Sequence, residues 1–394
     1  MDSTYPKNPI STNGMKQLLT NRTATRRRHK AMSTSESSLF SPVSSAAAPS
    51  LCSISTYSSE VTSVASSALT YKPKPGVHQL VHERLDAIPD DLPEELPNPP
   101  IRFSQTFELS HCIGSKGALS TVWLARNKHT REQVAVKIIR RVNLTPNEDK
   151  AVFDEVAILK KLSLLQYHAG SSLSMDGQTI RLIDFFVSST AFFIVTEYMD
   201  SGDMQDLLER RGRFLEEDVR QIIFSLLQAM LFVHKNGVAH RDLKPENLLI
   251  SSRASFHPGS KQGILSRYII KIADFGLAAQ ISQPRSLITR CGTPMYVAPE
   301  VLRSFPYDQS CDMWSLGVIV YLFMSGCHPF MDSRKKGLYR KILSGKVVLD
   351  GDGWDTISPE AKHFISSCLT VNPRGRISAQ EALHHPWFSP ANLF

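Results

Sequence analysis

The 394-residue sequence has few of the features that mark secreted or membrane-embedded proteins. Its six cysteines include no CxxC pair and no framework spacing, which favours reduced thiols over a disulfide scaffold. No run approaches the roughly 20 apolar residues of a membrane helix, and the longest, residues 316–324, predicts a buried core helix instead. We also expect no secretory signal peptide at the N-terminus. These absences favour a cytoplasmic or nuclear protein.

Acidic residues are the scarcer charge: 37 Asp and Glu against 45 Lys and Arg leave a net charge of +8. That balance admits nucleic acid or an anionic membrane as a partner. The basic residues are scattered, however, except for Arg22 and the run RRRHK at residues 26–30. We therefore expect no membrane partner and no nucleic-acid partner. A nucleic-acid role for the basic run stays open as an alternative, and salt-sensitive retention of residues 1–100 on DNA or RNA would reveal it.

Residues 1–104 lack the hydrophobic periodicity of a folded domain. Their first part is rich in Ser, Thr and Ala, and residues 86–100 (DAIPDDLPEELPNPP) are acidic and rich in proline. Such segments bury too little apolar surface to offset the entropy lost on ordering. We therefore predict a disordered, Ser-rich leader over residues 1–104 that ends in an extended linker.

The basic run in this leader has several interpretations. It is typical of a nuclear-import signal, a docking patch, a site of modification or a solvated charge run without such a role. A mitochondrial transit peptide is a further alternative, because residues 1–59 are Ser-rich and contain only Asp2 and Glu36 as acids. Pro6 and Pro9 would interrupt the amphipathic helix that a transit peptide needs.

The pattern changes at Phe107, where strand-like apolar runs separated by turn residues begin. One helical pattern follows at residues 147–162, and past residue 215 the apolar residues recur mostly at helical spacing. Strands first and helices later predict an α+β domain of two lobes over residues 105–390. We expect a small antiparallel β-sheet lobe with one helix, about residues 105–198, and a larger, mainly helical lobe, about residues 199–390.

A turn between two strand-like runs, IGSKGALSTV, contains Gly114, Gly117 and Ser120. Such a loop lets backbone N–H groups approach phosphate oxygens closely. Counted back from Val122, the positions of a three-glycine phosphate loop hold Ser115, Gly117 and Ser120, so only the middle one is glycine. The turn is equally typical of an ordinary hairpin.

The next strand pattern, VAVK, ends at Lys137, whose ammonium could bind phosphate oxygens. Glu155, in DEVAILKKL, lies at the start of a helical apolar pattern and faces inward. We predict that Glu155 pairs with Lys137. Two unrelated surface charges are the alternative, and the pairing depends on the motifs that follow.

Two further strings carry a family resemblance: HRDLKPEN at residues 240–247 and DFG at residues 274–276, the latter after the β-branched run YIIKIA. With them, the chain resembles the eukaryotic protein kinase family, serine/threonine branch, and the expected fold is the two-lobed protein kinase fold. The resemblance implies ATP and Mg²⁺ as cofactors and Ser/Thr hydroxyls of proteins as acceptors. The candidate nucleotide-binding residues are Gly114, Ser115, Gly117, Ser120, Val122, Ala135, Lys137, Glu197, Met199 and Asp203, with Thr196 as the residue that limits the adenine pocket.

By the same resemblance, Asp242 accepts the proton of the substrate hydroxyl, while Asn247 and Asp274 bind magnesium. Lys244 is implied to contact the γ-phosphate, and Thr293, in CGTP, to contact Asp242 and Lys244. The candidate catalytic residues are therefore Asp242, Lys244, Lys137, Glu155 and Thr293, and the candidate metal ligands are Asn247 and Asp274. Three further residues are implied to be structural: Glu300, Arg376 and Asp312.

Thr289 lies where many members of this family carry an activating phosphate, and Arg241 could bind that phosphate. We expect an upstream kinase to act at Thr289, with Ser286 as the alternative site. Glu246 and Asp203 are acids where related kinases hold an arginine of the substrate, which predicts a preference for basic sequence context.

The C-terminal part, ending in ISAQEALHHPWF, is similar to the calmodulin-dependent kinase group. The sequence leaves little room after that motif for a calmodulin-binding helix, so we expect regulation through the leader or Thr289. Residues 251–266 and 169–178 exceed the usual family spacing and predict surface loops. A pseudokinase or scaffold, favoured only by the altered glycine loop, and a small-molecule kinase are the alternative functions.

Overall fold

The computed structural model describes residues 97–115, 120–142, 144–168, 179–252, 267–351 and 353–389. All of them belong to the second of two units, Met1–Pro75 and Gly76–Phe394. The leader up to residue 96, Gly117 in the glycine loop, residues 169–178 and most of residues 251–266 lie outside the described residues. The predictions made for those segments stay predictions.

The N-terminal lobe contains one antiparallel sheet of five strands in the order β1-β2-β3-β5-β4. Its strands are β1 (Phe107–Ser115), β2 (Ser120–Asn127), β3 (Gln133–Arg140), β4 (Leu182–Val187) and β5 (Ala191–Glu197). Helix α1 (Ile101–Thr106) precedes the sheet, and helix α2 (Pro146–His168) connects β3 to β4.

Alternation along β3 assigns its side chains to two faces of this sheet. Val134, Val136 and Ile138 are buried on the face that also holds Phe107 and Phe193, where they form a small apolar core. Because Lys137 lies between Val136 and Ile138 in the strand, its side chain emerges on the opposite face. The residue pattern of β3 therefore sets the direction of its lysine.

Helix α1 completes the apolar core of the sheet with one side chain, that of Phe103, which is 1% exposed. The Lys128 ammonium donates to the carbonyl oxygen of Ser104 at 2.6 Å and holds the helix to the turn after β2. The ring of Phe103 packs against those of Phe107, Phe186 and Phe193, at centroid distances of 5.5, 5.5 and 5.1 Å. The helix crosses the predicted boundary between residues 104 and 105, because this aromatic contact orders the chain upstream of it.

The C-terminal lobe is mainly helical. Its helices are α3 (Met204–Arg211), α4 (Glu216–Lys235), α5 (Pro299–Leu302), α6 (Ser310–Ser325), α7 (Lys335–Ser344), α8 (Pro359–Cys368) and α9 (Ala379–Ala382). Two short antiparallel ladders pair β6 (Val238–Ala239) with β9 (Ala279–Gln280) and β7 (Leu248–Ser252) with β8 (Tyr268–Ile272). The α+β prediction, with a sheet lobe before a helical lobe, is confirmed.

Helices α4 and α6 form the centre of this lobe. Helix α4 buries the apolar residues that recur at helical spacing, and it carries acids in its first turn, where the helix dipole favours them. Helix α6 contains the run at residues 316–324 and is buried on all sides, as the sequence predicts. Gly317 permits close contact with α8, because a Cβ atom there would lie 2.7 Å from the Cβ atom of Cys368. Among the described residues, no helix is both long and apolar enough to cross a membrane.

Candidate active site

Lys137 of β3 contacts two carboxylates that the sequence analysis singled out. Its Nζ atom lies 2.8 and 3.1 Å from the carboxylate oxygens of Glu155 and 3.1 Å from Oδ1 of Asp274. Burial alone would lower the pKa of Lys137, but the charges of Glu155 and Asp274 outweigh it and raise that pKa above its ordinary value. The lysine is therefore a fixed cation between the two lobes.

Helix α2 supplies Glu155 from an otherwise apolar face. Val152, Val156 and Leu159, on the same side of the helix, pack into the main core, and Glu155 itself is 5% exposed. A carboxylate at this depth requires a partner, since an unpaired buried charge is costly. The pairing with Lys137 meets that requirement and links the position of α2 to the site.

Asp242 is held by the next two candidate residues. Its Oδ1 atom accepts hydrogen bonds from the backbone N–H and the hydroxyl of Thr293, both at 2.8 Å. Lys244 lies 3.0 Å from Oδ2 and donates to the Thr293 hydroxyl at 2.8 Å. Burial would raise the pKa of Asp242, but the hydrogen bonds from Lys244 and Thr293 lower it below its ordinary value. The carboxylate is therefore ionised and oriented at neutral pH.

Asp312 of α6 supports the loop that carries Asp242. The Asp312 carboxylate accepts from the backbone N–H groups of His240 and Arg241, at 2.9 and 2.8 Å, and from Nε2 of His234 at 2.9 Å. Burial opposes ionisation of Asp312, yet these partners, His234 first, hold its pKa below its ordinary value. The sequence analysis identified Asp312 but missed His234, which lies 78 residues away and carries no motif.

Gly292 allows the segment that carries Thr293 to approach the Asp242 loop. Its φ of +94° lies in a region that L side chains rarely adopt, and a Cβ atom there would lie 2.7 Å from the carbonyl oxygen of Arg241. Because Thr293 follows directly, this close contact places its N–H and hydroxyl on Asp242. Glycine is the only residue that fits this position without moving one of the two segments.

Asn247 and Asp274, the candidate metal ligands, lie on either side of Asp242 and Lys137. The Asn247 amide is buried and donates to the carbonyl oxygen of Asp242 at 2.8 Å, which directs its other atom, an oxygen, away from that bond. Asp274 has a left-handed backbone with φ of +61°. Among the described residues there is no group of three or more His, Cys, Asp or Glu that could hold a metal by itself. One carboxylate and one amide oxygen suit Mg²⁺, which keeps waters and phosphate oxygens as its other ligands.

The predicted phosphate loop and the predicted adenine segment adjoin this cluster. Gly114 pairs with Val122 across β1 and β2, and Val122 lies opposite Lys137. The Ser120 hydroxyl is buried without a hydrogen-bond partner among the described residues. Ser115 ends β1.

Ala135 precedes Lys137 by two residues in β3. Its backbone pairs with Leu124 of β2 on one side and with Thr196 of β5 on the other. Met199 is buried, and Asp203 caps helix α3 by accepting from the N–H of Asp206 at 2.9 Å. These positions fit a nucleotide whose phosphates lie toward Lys137 and whose base lies toward residues 196–199.

Glu197 has a partner that the sequence analysis missed. Its carboxylate oxygens lie 2.8 and 2.9 Å from Nζ of Lys271 in β8. The two residues are 74 positions apart, and neither the strand pattern nor any motif signals the contact. The side chain of Glu197 is thus engaged with β8.

Glu246, four residues after Asp242, and His328 have polar atoms that no described residue satisfies. Oε2 of Glu246 and Nδ1 of His328 are buried and have no hydrogen-bond partner among the described residues. The Tyr296 ring lies 5.1 Å from that of His328. Burial, followed by the charges of Glu246 and Asp242, raises the pKa of Tyr296. Burial lowers the pKa of His328, which is therefore neutral at pH 7. A cationic ligand could satisfy Glu246 here.

Thr289 is exposed. Its backbone is linked through Tyr307 to Arg241, the residue that could bind a phosphate on Thr289. The Tyr307 hydroxyl donates to the Thr289 carbonyl at 2.6 Å and accepts from Nη1 of Arg241 at 3.2 Å. Arg241 also donates to the carbonyl of Leu277 at 2.5 Å. Ser286, the alternative site, is also exposed. Tyr307 was not among the predicted residues.

The chain is similar in sequence to known proteins. The profile described as the protein kinase domain matches residues 107–388. Human serine/threonine-protein kinase H1 is 36% identical over 289 residues, which cover 73% of this chain and 62% of that protein. Calcium-dependent protein kinase 4 of Plasmodium falciparum is 34% identical over 291 residues, 74% of this chain and 51% of that protein.

Myosin light chain kinase A of Dictyostelium discoideum is 34% identical over 286 residues, 73% of this chain and 89% of that protein. The names of these relatives are consistent with the predicted likeness to the calmodulin-dependent kinase group. The chain spans less than two thirds of the length of kinase H1 and about half that of calcium-dependent protein kinase 4.

Proposed function

We propose that the chain is a serine/threonine protein kinase, which transfers the γ-phosphoryl group of ATP to hydroxyl groups of proteins. The chain belongs to the protein kinase family. The observation that carries the proposal is the arrangement around Asp242, whose carboxylate contacts both Thr293 and Lys244 within 3.0 Å. Since several relatives are longer than this chain, the activity and partners of the whole protein are part of the proposal.

Asp242 would accept the proton of the acceptor hydroxyl. Its lowered pKa keeps it ionised at neutral pH, and the hydrogen bonds from Thr293 orient one oxygen while the other remains toward Lys244. Phosphoryl transfer has a loose transition state that needs little early proton abstraction, so a carboxylate of low pKa suffices. Lys244 adds a positive charge where the transferred group would lie.

Asn247 and Asp274 would hold magnesium, and Lys137 would bind the phosphates of ATP. Magnesium held there would supply positive charge against the charge of the phosphates. Glu155 keeps Lys137 in place, since the two side chains already contact each other at 2.8 Å. Every group that the transfer requires is therefore present, which supports an active enzyme over a pseudokinase.

We further propose that the substrates carry basic residues near the acceptor. Glu246 supports this, because its buried Oε2 atom has no hydrogen-bond partner among the described residues and Glu246 follows Asp242 by four residues in the same loop. An arginine of the substrate would supply the missing hydrogen bonds and the opposite charge.

Regulation by an upstream kinase at Thr289 belongs to the proposal as well. A phosphate on its exposed hydroxyl would lie near the Tyr307–Arg241 contact, where a guanidinium can bind it. For the place of action we propose the cytoplasm or the nucleus, on the evidence of composition, with a mitochondrial location as the alternative. We propose neither a membrane nor a nucleic acid as a partner.

The test is transfer from labelled ATP, with Mg²⁺, to a serine peptide that contains arginine. Asp274→Asn should lower the transfer by about 100-fold or more, because it removes a charge at the transferring group. Asp355→Asn, at an exposed position away from the site, is the matched control and should leave the rate unchanged. Lack of transfer by the wild type, even after treatment with cell extract to supply an activator, would contradict the proposal.

A further inference from the structure

A largely buried ion pair links the end of β5 to β8. Nζ of Lys271 lies 2.8 and 2.9 Å from the two carboxylate oxygens of Glu197, and the side chains are 9% and 19% exposed. Glu197 is the last residue of β5, and Lys271 is in β8. The pair is therefore formed between the end of the N-lobe sheet and a strand of the C-lobe.

Glu197 is fixed by its backbone as well as by its carboxylate. Its N–H donates to the carbonyl of Arg181 at 3.1 Å, and the N–H of Arg181 donates to its Oε1 at 2.8 Å. The preceding residue, Ile180, donates to the carbonyl of Ile272 at 2.9 Å. The start of β4, the end of β5 and the end of β8 are thus connected around Lys271.

Strand β8 leads directly to the metal-binding aspartate. Ala273 donates to the carbonyl of Asn247 at 2.9 Å, and its own carbonyl contacts Nε2 of His240 at 3.0 Å. Asp274 follows and contacts Lys137 at 3.1 Å. A shift of Lys271 along β8 would therefore move both candidate metal ligands, Asp274 directly and Asn247 through Ala273.

We propose that Lys271 and Glu197 are positioning residues that couple the adenine-binding segment to the magnesium-binding residues. The inference rests on the proposed function, which assigns ATP and Mg²⁺ to this site. A lysine and a glutamate give up much hydration when they are buried, and a buried ion pair is weak support for stability alone. Its place between these two segments fits a role in holding the distance between the base and the metal fixed.

The coupling has a measurable consequence. Magnesium and the nucleotide strengthen each other's binding by the same factor. That factor is largest when the two ends of the site are held at the distance that a magnesium-bound nucleotide requires. Loss of the ion pair lets the ends move separately, so the factor decreases. A residue that only stabilises the fold would lower the melting temperature and leave that factor unchanged.

The experiment measures the dissociation constant of a fluorescent ATP analogue with and without Mg²⁺ on the full chain. The variants are Lys271→Met, Glu197→Gln and the conservative Lys271→Arg. The structural control is Arg376→Met, which removes a buried partner of Glu300 away from the nucleotide site. The melting temperature of each variant is measured without ligand.

We expect Lys271→Met and Glu197→Gln to reduce the magnesium enhancement of nucleotide affinity by about fivefold or more. Lys271→Arg should retain most of the enhancement, because its guanidinium can contact both carboxylate oxygens. Arg376→Met should lower the melting temperature but keep the wild-type enhancement.

An unchanged enhancement in both Lys271→Met and Glu197→Gln would overturn the inference while leaving the proposed function intact. The inference would also be overturned if Arg376→Met reduced the enhancement as much as Lys271→Met, since general destabilisation would then explain the loss. If the wild type bound no nucleotide at all, the proposed function itself would fail.

Discussion

The guanidinium of Arg376 donates to both carboxylate oxygens of Glu300, at 2.7 and 2.9 Å, deep in the C-lobe. It also donates to the backbone carbonyls of Ser310 and Thr370, at 2.8 and 3.0 Å. Glu300 lies in α5, just after the segment that carries Thr293, so this contact ties that segment to the helices behind it. Both residues are among those that the family resemblance implies to be structural.

Removal of Arg376 should destabilise the fold strongly. Arg376→Met leaves the Glu300 carboxylate buried without its cation, which costs about 3–5 kcal/mol of unfolding free energy. Chemical denaturation measures this loss of unfolding free energy. Lys150→Met, in the exposed pair with Asp154, is the control and should change stability little. Equal effects of the two substitutions would contradict the assignment.

Phe103 should matter to stability although it lies before the predicted domain. Phe103→Ala removes a ring that contacts three other aromatic rings, and we expect a loss of about 3–5 kcal/mol. Ile101→Ala, in the same helix but 78% exposed, is the matched control and should have little effect. Thermal and chemical unfolding distinguish them; a mild effect at Phe103 would show that α1 is dispensable.

The acid side of the pH–rate profile should move when Thr293 is changed. The pKa of Asp242 lies below its ordinary value of about 3.9, partly because the Thr293 hydroxyl donates to it. Thr293→Ala removes that bond, so the pKa rises and activity is lost at a higher pH on acidification. The measurement is the pH at which kcat/KM decreases on the acid side of the profile. The maximum value of kcat/KM is not the readout. Thr190→Ala, on an exposed turn, should not move it.

Substrate preference should depend on the charge of Glu246. Glu246→Gln keeps the shape but removes the charge, and we expect kcat/KM for an arginine-containing peptide to decrease about 10- to 100-fold. A peptide with alanine in place of the arginine should be affected little. Glu209→Gln, at an exposed position, is the control. Equal losses for both peptides would indicate a general defect in place of a specificity pocket.

Activation at Thr289 should be visible in protein purified from cells. Thr289→Ala should lower activity by about fivefold or more, because no phosphate can then bind Arg241. Ser286→Ala tests the alternative site. Phosphatase treatment should reduce wild-type activity and leave that of Thr289→Ala unchanged. Full activity of Thr289→Ala would remove the site from the regulatory proposal.

The order of the lobes and the central cluster could be predicted because local patterns determine them. Alternation along β3 sets the direction of Lys137, and the helical spacing around Glu155 sets the face on which it lies. The motif strings then place Asp242 and Asp274 on turns between short strands. In each case the information is contained in a few consecutive residues.

The contacts that could not be predicted join residues far apart in the chain. Lys271 is an ordinary strand residue until β8 lies beside Glu197, and His234 is an ordinary helix residue until Asp312 approaches it. The burial of Phe103 could not be predicted for another reason. It is a single aromatic residue shortly after two prolines, so no periodic pattern indicates that it is buried. Tertiary packing, which local patterns do not encode, decided all three.

The close contact at Gly317 constrains how this protein can change over time. A single added carbon would lie 2.7 Å from the Cβ atom of Cys368 and 3.0 Å from the side chain of Leu369. Because every residue except glycine has a Cβ atom, a side chain at position 317 would require either glycine at position 368 or a shift of α8 and Leu369 away from α6. Substitutions at positions 317, 368 and 369 should thus occur in an ordered series, and homologous chains should show them as a covarying set.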